Sequence, residues 1–435
     1  MTDKYKLDRR QFLRSAATTA VGAAAFPYVV PSSALGRDGN VAPSNRIVHG
    51  CIGVGSRGTG VMRGFLGHGE VQIVAVCDVD QRHRARAKDL VDERYGNKDC
   101  RTYHDFRDVI ARDDIDTLSL ALPDHWHSIP VIMGAQAGKD MYAEKPLART
   151  IYEGRQMADA VHRYNRVWQT GSQQRSTGNF HRACELVRNG RIGKVTRVEV
   201  GLPTGRSGPA MEVKPVPEDL DWEFWLGPAP WRPYMEFGNR GVHWDWRWVR
   251  DYSGGQLTDW AGHHIDIAQW GLGLERTGPV EIYGSGEFPE EGVYDVAMTY
   301  KFHCKYANGI ELTVANNRQI PQGATWYGDK GKIYVKRGKL EADPKEVLDE
   351  TIGPDEIHLY ESRNHIGNFL ECVRSREETV APIEIGHRSI SVGLLGEIAM
   401  LTGQKLKWDP ENERFENSDE ANRMLRRPMR APWHL

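Results

Sequence analysis

The sequence predicts an α/β protein in two parts. The first is a doubly wound parallel sheet over residues 44–170; the second is a larger α/β part over residues 171–408, with a large, mostly antiparallel open sheet. Two patterns and one size support this. In the first stretch, short β-branched runs alternate with helical runs, as a parallel sheet covered by helices requires. In the second, strand-like runs crowd together, which favours antiparallel pairing. The chain's 435 residues, 40% hydrophobic and 27% charged, are enough for two cores.

Ahead of the first strand, Asp8-Arg9-Arg10-Gln11-Phe12-Leu13-Arg14 sets a twin arginine before a bulky apolar pair. An alanine-rich run from Ala16 to Phe26 and the small residues Ser32-Ser33-Ala34 follow. A basic start, a short apolar stretch and a small-residue exit describe a removable leader over residues 1–35, not a membrane span. This leader is similar to a Tat signal. That similarity implies the Tat export machinery as a partner, export in the folded state and a periplasmic destination. Cleavage near Ala34 removes five Lys/Arg and two Asp/Glu and leaves a net charge of −5. The whole chain, with 57 Lys+Arg against 59 Asp+Glu, carries −2, so no basic field exists to hold nucleic acid. Six cysteines in an exported chain suggest disulfides at first sight. However, Cys51 and Cys77 sit in apolar strand-like runs and Cys184 and Cys372 in helical ones, with no metal-clip or redox spacing. Buried free thiols are expected.

The first strand reads from Ile47 to Val54 and runs into Gly53-Val54-Gly55-Ser56-Arg57-Gly58, with a helical run after it. A second strand, Val71 to Cys77, ends at Asp78. This is the G-x-G-x-x-G fingerprint in its proper setting, with an acidic residue at the end of the next strand, 25 positions from Gly53. Gly53 permits the tight turn, Gly55 lets the backbone approach a pyrophosphate, and Gly58 allows close helix–strand packing. Ser56 and Arg57 lie between them, where phosphates rest on a helix N-terminus. Asp78 suits the ribose hydroxyls and repels a 2′-phosphate, which favours NAD over NADP, although Arg82 is close enough to leave NADP open. The alternation continues through Thr117–Leu122, a helix near 128–137, Met141–Ala143, a helix near 152–164 and Val167–Thr170. Ligands of such sheets sit at the carboxyl ends of the strands. Pro123 and His127, in Pro123-Asp124-His125-Trp126-His127, and Glu144 and Lys145, in Glu144-Lys145-Pro146, are therefore further candidate cofactor contacts.

With Glu144-Lys145-Pro146 in this place, the chain resembles the glucose-fructose oxidoreductase / inositol dehydrogenase / MocA (Gfo/Idh/MocA) family from about Arg46 to Leu406. The family's second motif, D-x-x-x-H-x-x-D, reads here Asp259-Trp260-Ala261-Gly262-His263-His264-Ile265-Asp266. The resemblance implies a Rossmann domain followed by an α/β domain with an open sheet, one face of which often mediates dimer contact. It makes Lys145 the residue near the reacting carbon that assists hydroxyl deprotonation, and a half-buried lysine suits proton transfer near neutrality. His263 matches the proton-transfer histidine and Asp259 the carboxylate that orients the substrate. Asp266 is expected to support the site from behind. If the segment is helical, the spacings +4 and +7 put these three on one face. His264 departs from many relatives; it either packs or adds a polar contact to substrate. Adjacent helical side chains do not face each other, so His263 and His264 make a poor chelating pair and no metal is assigned. The crossover segment Gly171–Ser176 is similar to one whose polar side chains reach the cleft, which makes Gln174 and Arg175 substrate-contact candidates.

The strand-like runs of the second part are Val195–Val200, Val280–Ser285, Ala297–Phe302, Ile310–Val314 and Ile333–Val335. Between the first two lies an insertion from Leu202 to about Trp248, too long to be idle. Eight of the 13 tryptophans fall between positions 222 and 270. His243-Trp244-Asp245-Trp246-Arg247-Trp248 alternates aromatic and polar residues, as a half-exposed strand does. Most of these tryptophans, Trp222 and Trp225 included, are expected to fasten the loop. A minority, such as Trp246 or Trp248 with Arg247, are expected to line a carbohydrate cleft. Amphipathic helices are expected over His365–Cys372 and Ile390–Leu401, and an extended arm, of the kind that grips a neighbouring subunit or domain, over residues 409–435.

The function these expectations imply is that of an exported NAD-dependent oxidoreductase, a dimer or tetramer, moving a hydride between nicotinamide and a carbinol carbon of a sugar or cyclitol. Scarcity of free NAD outside the cytoplasm keeps open NAD-assisted glycoside cleavage, or sugar–sugar redox coupling, with the cofactor recycled in place. A non-catalytic carbohydrate-binding protein is the rival from another class.

Overall fold

The parallel sheet is built around β1 (Ile47–Ile52). On one side it meets β2 (Val71–Cys77) and β3 (Arg101–Tyr103); on the other, β4 (Thr117–Leu120), β5 (Asp140–Ala143) and β6 (Trp168–Thr170). All five pairings are parallel, in the order β3-β2-β1-β4-β5-β6. The order reverses between β1 and β4, and a crevice opens at such a reversal beyond the strand ends. The computed structural model describes residues 42, 45–208, 210–236 and 241–435, of which Ile47–Leu435 form one compact unit. The leader expected over residues 1–35 lies outside the described residues.

The second sheet has nine strands in the order β13-β12-β11-β7-β10-β9-β8-β14-β15. Its members are β7 (Val195–Leu202), β8 (Glu281–Glu287), β9 (Thr299–Lys305), β10 (Glu311–Asn316), β11 (Gly323–Gly328), β12 (Lys332–Lys336), β13 (Lys339–Asp343), β14 (Leu406–Asp409) and β15 (Arg414–Phe415). Every pairing is antiparallel except β7 with β10. Strands such as Lys332-Ile333-Tyr334-Val335-Lys336 bury alternate residues, so one face carries the core, as period-2 patterning demands. Helices Gly178–Arg188, Asp266–Leu272 and Ile383–Thr402 pack in that core. The last of these also touches helix Ile151–Arg163 of the first half. Arg149 reinforces the junction by forking onto Glu397 at 2.9 and 3.1 Å.

Five strands not expected from the sequence, β3, β11, β13, β14 and β15, are short, glycine-bearing or rich in charge, and only their partners make them strands. The tryptophan segment is a correction. Residues 243–248 are not a strand: Val242–Asp245 is one helical turn and Trp246–Trp248 a 3₁₀ turn. In these turns the Arg247 guanidinium lies 4.7 Å from the rings of both Trp244 and Trp246, so the aromatic–polar alternation is met by packing other than a strand's. Trp222 and Trp225 stack at 4.8 Å in the insertion's own core. The tail folds back on its own chain: Trp433 stacks on Phe224 at 5.6 Å and Arg427 pairs with Glu153 at 2.6 Å. The six cysteines are free and buried.

Candidate active site

The crevice is a cavity of about 990 Å³ between the strand ends of the first sheet and the helices, insertion and hairpins of the second part. Gly53, Gly55, Ser56, Arg57 and Gly58 line one end. Gly53 has φ +77°, and a Cβ there would stand 2.4 Å from the Ala121 carbonyl oxygen; one on Gly58 would stand 1.8 Å from that of Gly53. Nothing but glycine fits at either position. Gly55 caps helix Ser56–Leu66 with no side-chain hydrogen bond, so its first N–H groups are free to meet an anion.

Asp78 lies at the end of β2, accepting from the main-chain N–H of Val54 at 2.9 Å and of Asp80 at 3.0 Å. A carboxylate has about four acceptor positions, so these two bonds aim it and leave capacity for ribose hydroxyls. Arg82 turns away to Asp80 (3.1 Å) and Asp219 (3.5 Å). The fingerprint, its helix N-terminus and Asp78 therefore fit a dinucleotide whose ribose carries free hydroxyls. Next to them the insertion docks on the first half: Gln81 N–H donates to Asp219 O (2.8 Å), Asp221 N–H to Val79 O (3.2 Å), and His243 Nε2 meets Asp80 at 3.0 Å. Ligand atoms of Asp80, His83 and His243 come within 4.8 Å of one another, but Asp80 already caps helix Gln81–Tyr95 and pairs with Arg82. A cation would have to displace Arg82.

At the other end the two motifs converge. Lys145 Nζ donates to Asp259 Oδ1 at 2.7 Å, and Arg247 approaches the same oxygen at 4.0 Å. Gly262 lets the lysine stem approach, since a Cβ there would lie 3.2 Å from that of Lys145. Burial opposes charge on Asp259, but Lys145 and Arg247 outweigh it and hold the carboxyl below its usual range. Glu144, also lining the cavity, accepts from Arg57 (2.6 Å) and Gln173 (3.1 Å) through Oε1, while its buried Oε2 has no partner. His263 is buried, and desolvation, reinforced by Lys145 and Arg337, pushes its imidazole well below the usual value, so it is neutral. Arg337 donates to His263 Nε2 at 3.1 Å, which leaves the ring proton on Nδ1.

The segment carrying Asp259, His263 and Asp266 is helical but not uniform: Gly255–Trp260 is α, Ala261–Ile265 a π turn and Asp266–Leu272 α again. Such wider turns recur at functional sites. Here the change of pitch takes the three side chains off the single face the spacing predicts. Asp259 and His263 line the cavity; Asp266 points into the core and takes both arms of Arg175 at 2.7 and 2.8 Å, with Ser389 donating at 2.8 Å.

Three expected contacts lie elsewhere. Arg175 is committed to Asp266, is 2% exposed and does not line the cavity. His264 is buried and stacks on Trp260 at 5.2 Å. His127 has both ring nitrogens against main-chain oxygens, of Leu147 at 3.1 Å and Leu122 at 2.9 Å. By contrast Pro123, Gln174, Arg247 and Trp248 line the cavity. With its amide oriented to satisfy both ends, Gln174 donates to His263 O (3.1 Å) and accepts from Arg337 Nε (3.2 Å). Among the lining residues missed from sequence are Asp124 and Arg337. Asp124, whose carboxyl burial pushes up to about 7, was quoted only as part of a strand-end segment. Arg337 lies in a two-residue turn far from either motif, and its only signal was the basic run Lys336-Arg337-Gly338-Lys339.

Residues 47–172 match the NAD-binding Rossmann fold of an oxidoreductase family, Gfo/Idh/MocA, and residues 181–435 match that family's C-terminal alpha/beta domain. A curated relative, glycosyl hydrolase family 109 protein 2 of Shewanella sp. (strain ANA-3), is 34% identical over 161 residues. That match covers 34% of this chain and 35% of the relative, so the chain spans about a third of the curated relative's length. Among solved structures, levoglucosan dehydrogenase in complex with NADH and levoglucosan superposes with a TM-score of 0.61 at 19% identity, covering 83% of this chain and 99% of that one. The aldose-aldose oxidoreductase of Caulobacter crescentus, complexed with glycerol, gives 0.61 at 17% identity, covering 83% and 99%. At those identities the likeness concerns the fold. With one family matched across both halves that build the cleft, the chain belongs to the Gfo/Idh/MocA oxidoreductase family.

Proposed function

We propose that this protein is an NAD-dependent oxidoreductase moving a hydride between nicotinamide and a hydroxyl-bearing carbon of a sugar or cyclitol. The observation that carries the reading is the meeting of Lys145, Asp259 and His263 in the cavity whose other end is the glycine fingerprint. Bound NAD supplies the hydride acceptor, C4 of its nicotinamide; the chain's task is to hold the alcohol and take its proton. Lys145 Nζ, oriented by Asp259 Oδ1, exchanges that proton, and the neutral His263, its Nε2 accepting from Arg337, stands in the same cavity. The buried rings of Trp246 and Trp248 offer apolar walls to a sugar face. Lys145→Ala tests the reading: hydride transfer should be abolished while the dinucleotide stays bound, and undiminished turnover would sink it.

A second reading is favoured by the curated relative's name, a glycosyl hydrolase, and by the insertion docked over the Val79–Gln81 edge. In it, NAD is retained, and is reduced and then reoxidised within each cycle, for glycoside cleavage or for coupling two sugars. The redox state of the co-purifying dinucleotide, 340 nm absorbance with a sugar panel, and mass spectrometry of products separate the two. A retained cofactor gives products without net absorbance change. A non-catalytic binder gives neither. Export by the Tat route is part of the proposal and rests on the leader's twin arginine. Replacing Arg9-Arg10 by Lys-Lys should hold the protein in the cytoplasm; unchanged fractionation overturns that part. A homo-oligomer is proposed too, checked by light scattering of the full chain.

A further inference from the structure

Charge around the reacting end of the cavity does not balance. Arg57, Lys145, Arg247 and Arg337 line it. Glu144 answers Arg57, and Asp259 answers Lys145 and, more distantly, Arg247. Among the described residues Arg337 has no carboxylate within ion-pair distance. Its partners are neutral: His263 Nε2 at 3.1 Å, Gln174 at 3.2 Å and the face of Trp260 at 4.9 Å. Asp124, also in the wall, is pushed up to about 7 by burial and is only partly ionised at neutrality. Partial burial, with the repulsion of Arg57, pulls the Arg337 guanidinium below its usual value, as for a cation short of a counter-charge.

This arginine is placed by the fold and is not a loose surface side chain. Lys336 and Lys339 are partners in the β12–β13 hairpin, so Arg337 and Gly338 form its two-residue tip. Asn179 clamps that tip from helix Gly178–Arg188, its amide donating to Lys336 O at 2.7 Å and Lys339 O at 3.2 Å. Lys336 and Lys339 flank the tip but do not line the cavity, and Lys339 pairs with Glu341 at 2.8 Å, so Arg337 is the charge that the tip brings to it. A guanidinium presents a planar fork that matches a carboxylate with two parallel hydrogen bonds.

We propose that Arg337 is an anion-recognition residue and that the sugar this cleft accepts carries a carboxylate, as a hexuronic acid does. This rests on the carbohydrate-oxidoreductase reading and narrows its substrate class. It also gives the Arg337–His263 contact a use: a carboxylate that pairs with Arg337 competes for the N–H now donated to His263 Nε2 and frees that nitrogen for the substrate hydroxyl.

The test is calorimetric titration of the full chain carrying its dinucleotide, with D-glucuronate, D-galacturonate and D-mannuronate against D-glucose, D-galactose and D-mannose. At least one uronate should bind about tenfold or more tightly than its neutral counterpart, the scale of a hydrogen bond to a charged group. That preference should shrink with added sodium chloride. In Arg337→Gln the ratio should fall below about threefold, and Arg337→Lys should recover part of it. Equal or weaker binding of every uronate in the wild type overturns the proposal without any variant, as does failure of all three to bind. A preference that survives in Arg337→Gln overturns it too. Loss of the dinucleotide from Arg337→Gln would assign the arginine to cofactor phosphate instead. Because titration reads binding alone, uronate preference without nicotinamide reduction would leave this subsite standing while the redox reading fell; neutral sugars oxidised in preference would do the reverse.

Discussion

Asp259 and Asp266 stand seven positions apart in one helical segment and occupy opposite worlds. Asp259 holds one lysine by a single contact at the wall of the cavity, the side chains 14% and 16% exposed. Asp266 is locked in the core against Arg175, both 2% exposed, through two parallel bonds and a third from Ser389. The first pair has one bond to break, which suits the proton exchange proposed for Lys145. The second is held by three hydrogen bonds on one carboxylate and ties helices together. A π turn between them separates the two tasks. Identical residue types in one short motif therefore take their roles from what the rest of the chain brings to them.

The largest test of this division is Asp266→Asn, which leaves the Arg175 guanidinium buried without its counter-charge. Removing one partner of a buried pair costs about 3–5 kcal/mol, read by denaturant unfolding. A loss below about 1 kcal/mol would show that the core pair is not structural. Asp259→Asn comes next, with the opposite signature: about 100-fold lower turnover, the scale of general acid–base assistance, with a melting temperature close to that of the wild type. Equal stability losses in the two variants would erase the distinction. The smallest effect concerns Asp124, in the cavity wall, whose carboxyl burial raises from 3.8 to about 7. The folded state binds this proton more tightly than the unfolded chain, so its contribution is fully present below the unfolded value and is lost as pH rises towards about 7. From pH 6 to pH 8 the wild type should lose about 1.4 kcal/mol more stability than Asp124→Asn. Parallel pH curves for the two proteins would remove Asp124 from the set of perturbed groups.

Much of the first half is legible because its signals are local. Gly53 is required by its positive φ and Gly58 by the Gly53 carbonyl five positions back, and Val71–Cys77 is apolar enough to be a strand wherever it lies. Lys145 was found because a strand's carboxyl end is a recurrent site, whatever surrounds it. The second half is less readable. β13 is polar and short, and pairs only because β12 lies beside it. The strand expected at residues 243–248 failed because alternation of aromatic and polar residues also arises when an arginine lies between two indoles in a helical turn. Arg175, His264 and His127 were the right residue types near the right place, but polarity in sequence does not say whether a side chain meets ligand or a buried partner.

By itself the sequence determined the dinucleotide turn and the alternation that makes a parallel sheet, since each depends on neighbours within a few positions or on a periodicity, while the roles proposed for Lys145 and His263 came from the family resemblance of their motifs. Only the tertiary structure decided that Asp259 faces Lys145 while Asp266 faces Arg175, and that a hairpin tip carries Arg337 to His263. Those pairings join residues from 74 to 114 positions apart. Coulomb attraction and desolvation depend on separation in space and on burial, and no local pattern in the chain encodes either one.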